Sequence, residues 1–251
     1  MLITMKPLQP DRLLPQYRIR TAFRRPSQET LQSLAGAATA PISDALRRRG
    51  CLPGSIRSIS SPTPRIVGPA YTVQATPADQ LLALYAIAHA QPGDVIVLAG
   101  TFTETGSAWG GIMSTMARKQ GIAALVTDGY VRDAEQSNEC GFPIFARGVR
   151  PLAPCKNVPP GDVNYPVAMG GTIIHPGDVI VADQDGIVVI PIDLADRVAP
   201  ALEARKDKED GWLARIAAEE SVLFADGVRQ TLDASETWIE SNIDQPGQEE
   251  K

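Results

Sequence analysis

Arg132 and Asp133 put a guanidinium beside a carboxylate at the end of the run DGYVRD, and Gly110-Gly111 open a helical pattern upstream of them. These residue types together could handle a small anion. A glycine-flanked helix start exposes backbone N–H groups to an anion, and glycine lets a ligand approach the backbone closely. A carboxylate is a hard oxygen ligand for a cation such as Mg²⁺, and a guanidinium can steady a developing oxyanion. The pattern points to a site for a small carboxylate ligand with a hard metal ion. Taken alone, Arg132-Asp133 equally describes a surface ion pair.

The surrounding elements decide between these readings. Val95–Ala99 is a β-branched apolar run behind a Pro-Gly-Asp turn and predicts a buried strand. A polar loop then leads to a helix that starts at Gly110-Gly111 and closes at Gly121. Its spacing puts Ile112, Met113, Met116 and Ala117 on one face and Ser114, Thr115, Arg118 and Lys119 on the other. Ala123–Thr127 predicts a second strand, followed by Asp128-Gly129, where Asp128 is read as shaping the turn. A strand–helix–strand unit with a right-handed crossover makes the strands parallel, and open α/β sheets bind ligands beyond their carboxyl ends. Arg132-Asp133 and Gly110-Gly111 both fall there.

The chain has 251 residues, enough for one large domain or two small ones. A net charge of −5 argues against nucleic acid as the main partner. No apolar run is long enough to span a membrane, and the first 25 residues lack a secretory apolar core, so a cytoplasmic location is expected. Cys51, Cys140 and Cys155 are too far apart for a zinc site or disulfide framework and are read as inert thiols. Two histidines, His89 and His175, exclude a multi-histidine metal site and are read as structural.

Four segments are expected: an irregular basic arm over residues 1–26, an α/β domain over 27–192, a charged helical segment over 193–240 broken or bent near Gly211-Trp212, and a disordered tail over 241–251. The arm is read as solvated or lying across a neighbouring subunit. Gln28–Leu34 predicts a helix; a second has Pro41 at its first position, Arg47-Arg48-Arg49 in its last turn and Gly50 as its stop. Val67–Ala75 predicts a strand, Asp79–Ala90 a helix and Pro143–Ala146 a short strand, while Arg147–Val163 is a Pro-rich loop or a meander. PGDVIV occurs twice, at Pro92 and at Pro176, and each copy reads as a turn feeding a buried strand. Asp183–Gly186 lacks the remaining ligands of a calcium loop and reads as a hairpin turn.

The set PGDVIV, WGG, ARKQGIAALVTDGYVRD, FPIFARG and GGTIIHPGDVIVADQDGIVVIP resembles the RraA-like family over roughly Ala40 to Glu209. That family includes divalent-metal-dependent 4-hydroxy-4-methyl-2-oxoglutarate aldolases, oxaloacetate decarboxylases and the ribonuclease E regulator RraA. The resemblance implies an α/β fold, an αββα sandwich of the swivelling β/β/α type, assembled as a homotrimer or homohexamer. It implies a lyase cleaving a C–C bond of a small 2-keto acid through a pyruvate enolate, or alternatively a non-catalytic regulatory oligomer. Asp133 would be the protein ligand to Mg²⁺ or Mn²⁺, and Arg132 would meet the keto oxygen or carboxylate. Gly110 and the amides around Gly111, Ile112 and Met113 would hold the substrate carboxylate. A glutamate from a neighbouring subunit would correspond to Glu209 or Glu203. The sequence departs from the family at Gly111, where aldolases commonly carry an acid that orients water; Glu104 in the preceding loop is the candidate that would have to substitute for it.

Overall fold

The structure, a computed structural model, describes residues 13–76, 80–100, 106–154, 160–218 and 227–235. The chain divides into two compact units, Met1–Leu202 and Glu203–Lys251.

In the first unit four parallel strands make the centre of a nine-stranded sheet: β3 (Ile66–Gln74), β4 (Val95–Ala99), β6 (Ala124–Thr127) and β8 (Ile144–Ala146). β4 and β6 are buried at every position, as expected for strands covered on both faces. β3 changes partner along its length. Ala70–Gln74 pair with β4, while Ile66–Pro69 pair with β13 (Val179–Asp183), which forms a hairpin with β14 (Gly186–Ile190). Gly68 allows the crossing, because a Cβ there would lie 2.3 Å from the Gly93 carbonyl oxygen.

The buried side chains form three clusters. One joins the sheet to α3 (Leu81–His89) and α4 (Gly111–Lys119); a second lies between the sheet and the β13–β14 layer; the third joins that layer to α1 (Gln28–Ser33), α2 (Thr39–Ala45) and the start of α6 (Ala195–Ala217). Three cores between four layers make the αββα sandwich.

Several expectations are revised. The described part of the N-terminal segment is irregular apart from one three-residue strand. Its β1 (Tyr17–Ile19) pairs in parallel with β10 (Gly161–Val163) at the sheet edge. Its arginines engage the chain's own carboxylates: Arg18 with Asp162, Arg24 with Asp193 and Arg25 with Asp94. α2 ends at Ala45, and Arg47 and Arg48 lie past it with positive φ. α6 continues through Gly211 without a break. The buried face of α4 is Met113, Ser114 and Ala117; Ile112 and Met116 are 72% and 43% exposed. The tail 241–251 lies outside the described residues.

Three other local readings can be placed in the structure. The Asp183–Gly186 turn closes the β13–β14 hairpin, with Asp183 accepting from the Thr39 amide and hydroxyl and from the Asp185 amide. His89 stacks on Tyr85, and its Nδ1 lies 2.8 Å from the Tyr85 carbonyl oxygen. Cys51 and Cys140 are free thiols, and Cys155 lies outside the described residues. Among the described residues no helix is long and apolar enough to cross a membrane.

Candidate active site

Three central strands each continue beyond their carboxyl ends into a small parallel sheet made of β5 (Ser107–Trp109), β7 (Tyr130–Val131) and β9 (Gly148–Val149). Chain order places β5 after β4, β7 after β6 and β9 after β8. The small sheet is an extra tier on the crevice end, and the site residues emerge from it: Gly110-Gly111 follow β5, and Arg132-Asp133 follow β7. The Arg132 amide donates to the Trp109 carbonyl at 3.0 Å, which fixes the two emerging segments side by side.

Asp133 stands at the N-cap of α5 (Ala134–Glu139), a position where aspartate ordinarily accepts from its own helix. It makes no such bond. Its backbone is left-handed, φ 54°, and its Oδ2 accepts instead from the Gly111 amide of α4 at 3.2 Å. The carboxylate thus caps the neighbouring helix, at the positive end of that helix's dipole. Arg132 Nε lies 3.4 Å from the same oxygen. Both side chains keep solvent access, 37% for Arg132 and 44% for Asp133.

Gly110 is extended, so its backbone conformation does not demand glycine. Close approach does: a Cβ would lie 2.9 Å from Asp133 Oδ2 and 3.2 Å from Arg132 Nε. At Gly111 a Cβ would lie 2.1 Å from Gln136 Oε1 and 2.9 Å from Gln136 Cβ. The Gln136 side chain, one turn along α5 from Asp133, therefore fills the space that an acidic side chain at position 111 would enter. Nothing in the spacing of the sequence singles out Gln136.

A buried hydroxyl network fixes this arrangement from below. Trp109 Nε1 donates to Ser114 Oγ at 2.9 Å, Ser114 Oγ lies 2.8 Å from Ser137 Oγ, and Ser137 Oγ donates to the Asp133 carbonyl at 3.1 Å. This accounts for Ser114 being buried on a face where periodicity alone favours Ile112 and Met116.

The cleft above has a volume of about 300 Å³; Gly110, Ile112, Met113, Arg132 and Asp133 line it, with Gln80, Leu84 and Pro154 among the residues the sequence did not indicate. The Gly111 amide donates to Asp133 Oδ2 at 3.2 Å, beside the substrate-binding position read for it. Ile112 and Met113 occupy the rest of the first turn, where amides lack intrahelical acceptors. Asp128 accepts from the Gly100 amide at 3.2 Å, tying the ends of β6 and β4 together.

Glu209 lies in the second unit, on α6, 3.3 Å from Arg205 one helical turn away. Glu203 belongs to the same unit. Glu104 is outside the described residues. Among the described residues no three His, Cys, Asp or Glu side chains gather as a metal cage. The donor set fits a cation that keeps most of its waters and takes one protein carboxylate, as Mg²⁺ does.

The sequence profile of the RraA-like family, described as Aldolase/RraA, matches residues 39–189. The chain belongs to the RraA-like family. A Halalkalibacterium halodurans relative, provisionally named a 4-hydroxy-4-methyl-2-oxoglutarate aldolase, is 38% identical over 185 residues, covering 74% of this chain and 86% of its own. Among solved structures, an uncharacterized protein from Pseudomonas syringae pv. tomato superposes with a TM-score of 0.71 at 31% identity, covering 84% of this chain and 97% of that one. Streptomyces coelicolor RraAS2, titled an unusual member of the RNase ES inhibitor RraA family, gives 0.67 at 29%, covering 76% and 100%. The RraA-like family thus includes relatives named for a lyase and relatives named for inhibition of an RNase.

Proposed function

We propose that this chain is a divalent-metal-dependent lyase that cleaves a C–C bond of a small 2-keto acid, by retro-aldol cleavage or decarboxylation. The observation that carries the reading is the Arg132–Asp133 pair held against the head of α4 and open to a small cleft. The volume, at the low end for ligand sites, suits a compact substrate. The provisional aldolase name of the Halalkalibacterium relative supports the same class.

The substrate carboxylate lies on the first-turn amides of Ile112 and Met113, where the helix dipole favours an anion. That places the keto oxygen toward Arg132, whose guanidinium stabilises the enolate oxyanion as the C–C bond breaks. Asp133 would hold Mg²⁺ or Mn²⁺, which supplies Lewis-acid polarisation of the keto acid when bound. The Gly111 amide and Arg132 keep the Asp133 carboxylate oriented toward the cleft. Gln136, which fills the space over Gly111, is a neutral amide and takes no proton, so the electron-sink half of the chemistry is built from α4, Arg132 and Asp133.

A second reading, a regulatory oligomer without turnover, draws on RraAS2, whose title places it in an RNase-inhibitor family. A homotrimer or homohexamer belongs to both readings, and the exposed Ile112 and Met116 support a covered surface on α4. Release of pyruvate from oxaloacetate and a panel of 4-hydroxy-2-keto acids, with Mg²⁺ and with EDTA, separates the two. Metal-dependent release supports the lyase; metal-independent release removes the cation from the reading. No release from any substrate, with a ribonuclease partner recovered by pull-down, favours the regulator.

A further inference from the structure

Arg47-Arg48-Arg49 reads in the sequence as a charge run suited to the end of a helix, but the structure gives it a different setting. Arg47 and Arg48 lie beyond α2 with φ of 53° and 64°, a left-handed pair that residues with a Cβ rarely adopt. Hydrogen bonds on both sides hold the loop there. The Arg48 amide donates to the Ser43 carbonyl at 2.7 Å. Beyond the arginines, the Val189 amide donates to the Gly50 carbonyl at 2.8 Å and the Leu52 amide to the Ile187 carbonyl at 3.0 Å. Gly50 permits this docking onto β14, since its φ is 78° and a Cβ would lie 2.2 Å from the Val189 carbonyl oxygen. Arg47 and Arg49 line a cavity of about 630 Å³, with apolar surface from Leu46, Ile173, Val189 and Leu194. Ile173 belongs to the strand Thr172–Ile174, paired with Val167–Met169. Its neighbour Ile174 is in the core, so alternation along the strand turns Ile173 outward and leaves it 64% exposed. Asp193, next to Leu194, is engaged by Arg24. Among the described residues the cavity shares no lining residue with the Arg132–Asp133 cleft.

We propose that this cavity is a second binding site and takes an aliphatic carboxylate. The chain lies against Leu46, Ile173, Val189 and Leu194, and the carboxylate meets Arg47 and Arg49. The cavity has the make-up of a small-molecule site, mostly apolar with a few polar groups that fix orientation, and its volume falls within the range of such sites. A guanidinium fork matches a planar carboxylate through charge-assisted hydrogen bonds, and two guanidiniums in one cavity favour an anion over a neutral group. Each methylene buried against the apolar walls strengthens binding about 4-fold. Left-handed backbone at residues other than glycine clusters at ligand clamps, and Arg47 and Arg48 form such a segment at the edge of the cavity. Charge is thus read by the loop after α2, and chain length by β14 and the Ile173 strand.

Calorimetry on the full chain tests the site with octanoate, butanoate and octan-1-ol, each kept below its aggregation limit. Octanoate is expected to bind at least about 10-fold more tightly than butanoate, which keeps the head but loses four methylenes. It should also bind at least about 5-fold more tightly than octan-1-ol, which keeps the chain but loses the charge. Arg47→Gly removes one guanidinium and suits the left-handed backbone, so octanoate should weaken at least about 5-fold while the thermal midpoint holds or rises. Ile173→Glu changes an exposed side chain and sets a like charge in the apolar wall, so octanoate should weaken at least about 10-fold. Absence of octanoate binding, or binding that both variants leave unchanged, overturns the proposal. So does loss of self-association in Ile173→Glu when the parent binds no octanoate, which assigns this face to a second copy of the chain.

Discussion

Asp94 and Asp178 occupy matching places in the two PGDVIV segments, and Asp133 occupies the head of α5. The first two are buried, 0% and 3% exposed, and saturated with donors. Asp94 accepts from the Gln91 amide at 2.8 Å and is clamped by both terminal nitrogens of Arg25; Asp178 accepts from the His175 amide at 2.8 Å and the Ile192 amide at 3.0 Å. In each case the carboxylate closes the turn on the amide three residues back, which is why the motif recurs ahead of a buried strand. Asp133 has one amide, one loosely placed guanidinium and open solvent, and it holds a left-handed backbone to face α4. Saturated carboxylates fasten this fold. The unsaturated one retains capacity for a ligand.

Removing a partner from a saturated carboxylate should cost stability and leave chemistry in the folded fraction alone. Arg25→Ala strands the buried Asp94 charge, and an unfolding midpoint corresponding to a loss of about 3–5 kcal/mol in denaturant titration is expected. A loss under 1 kcal/mol would show that the pair fastens little. The next largest effect sharpens the boundary between the two classes. Gly111→Asp would force a side chain into the space of Gln136 and should cost about 1–3 kcal/mol. Gln136→Ala in the same chain should recover most of that, so a double-mutant cycle with no coupling would contradict the packing described at position 111. Ser114→Ala leaves the Trp109 Nε1 without its acceptor and should cost about 1–3 kcal/mol while loosening the Asp133 backbone through Ser137.

The last effect is read in the acid range and concerns Asp183. Burial raises its pKa, but the Thr39 hydroxyl and amide and the Asp185 amide outweigh that and hold it below the ordinary carboxylate value. A depressed folded pKa contributes stability above the unfolded value, near ~3.9, that is lost as pH falls through the folded one. Asp183→Asn should therefore flatten the acid limb of the stability profile below about pH 4. An unchanged acid limb would show that Asp183 does not contribute to it.

Much of the αββα frame was legible because it rests on local signals. β-Branched runs behind Pro-Gly-Asp turns marked β4 and β13, and the Asp-Gly turn marked the hairpin between β13 and β14. Arg132, Asp133 and Gly110 were legible as a constellation because they follow parallel strands, Ile112 and Met113 were added by the family resemblance, and all five line one cleft. Contacts between elements distant in sequence were not. The tier of β5, β7 and β9 consists of strands of two or three residues, too short to show a period. The apolar face of α4 was read from spacing, whereas Ser114 is buried because Trp109 and Ser137 satisfy its hydroxyl. Gln136 over Gly111, and Gln80 and Leu84 in the cleft, depend on how α5 and α3 pack around α4. The N-terminal arginines looked like a free basic surface because their aspartate partners lie far along the chain.

The most direct test of the distinction between fastening and ligand-binding carboxylates is Asp133→Asn, followed by pyruvate release in saturating Mg²⁺ and by its thermal midpoint. The amide keeps the size and an acceptor for Gly111 but loses the charge. Pyruvate release should fall on the order of 10³-fold, with a midpoint within about 2–4 °C of the parent, the shift of a loss near 1 kcal/mol. Undiminished metal-dependent release, or a collapse of the fold comparable to Arg25→Ala, would contradict it.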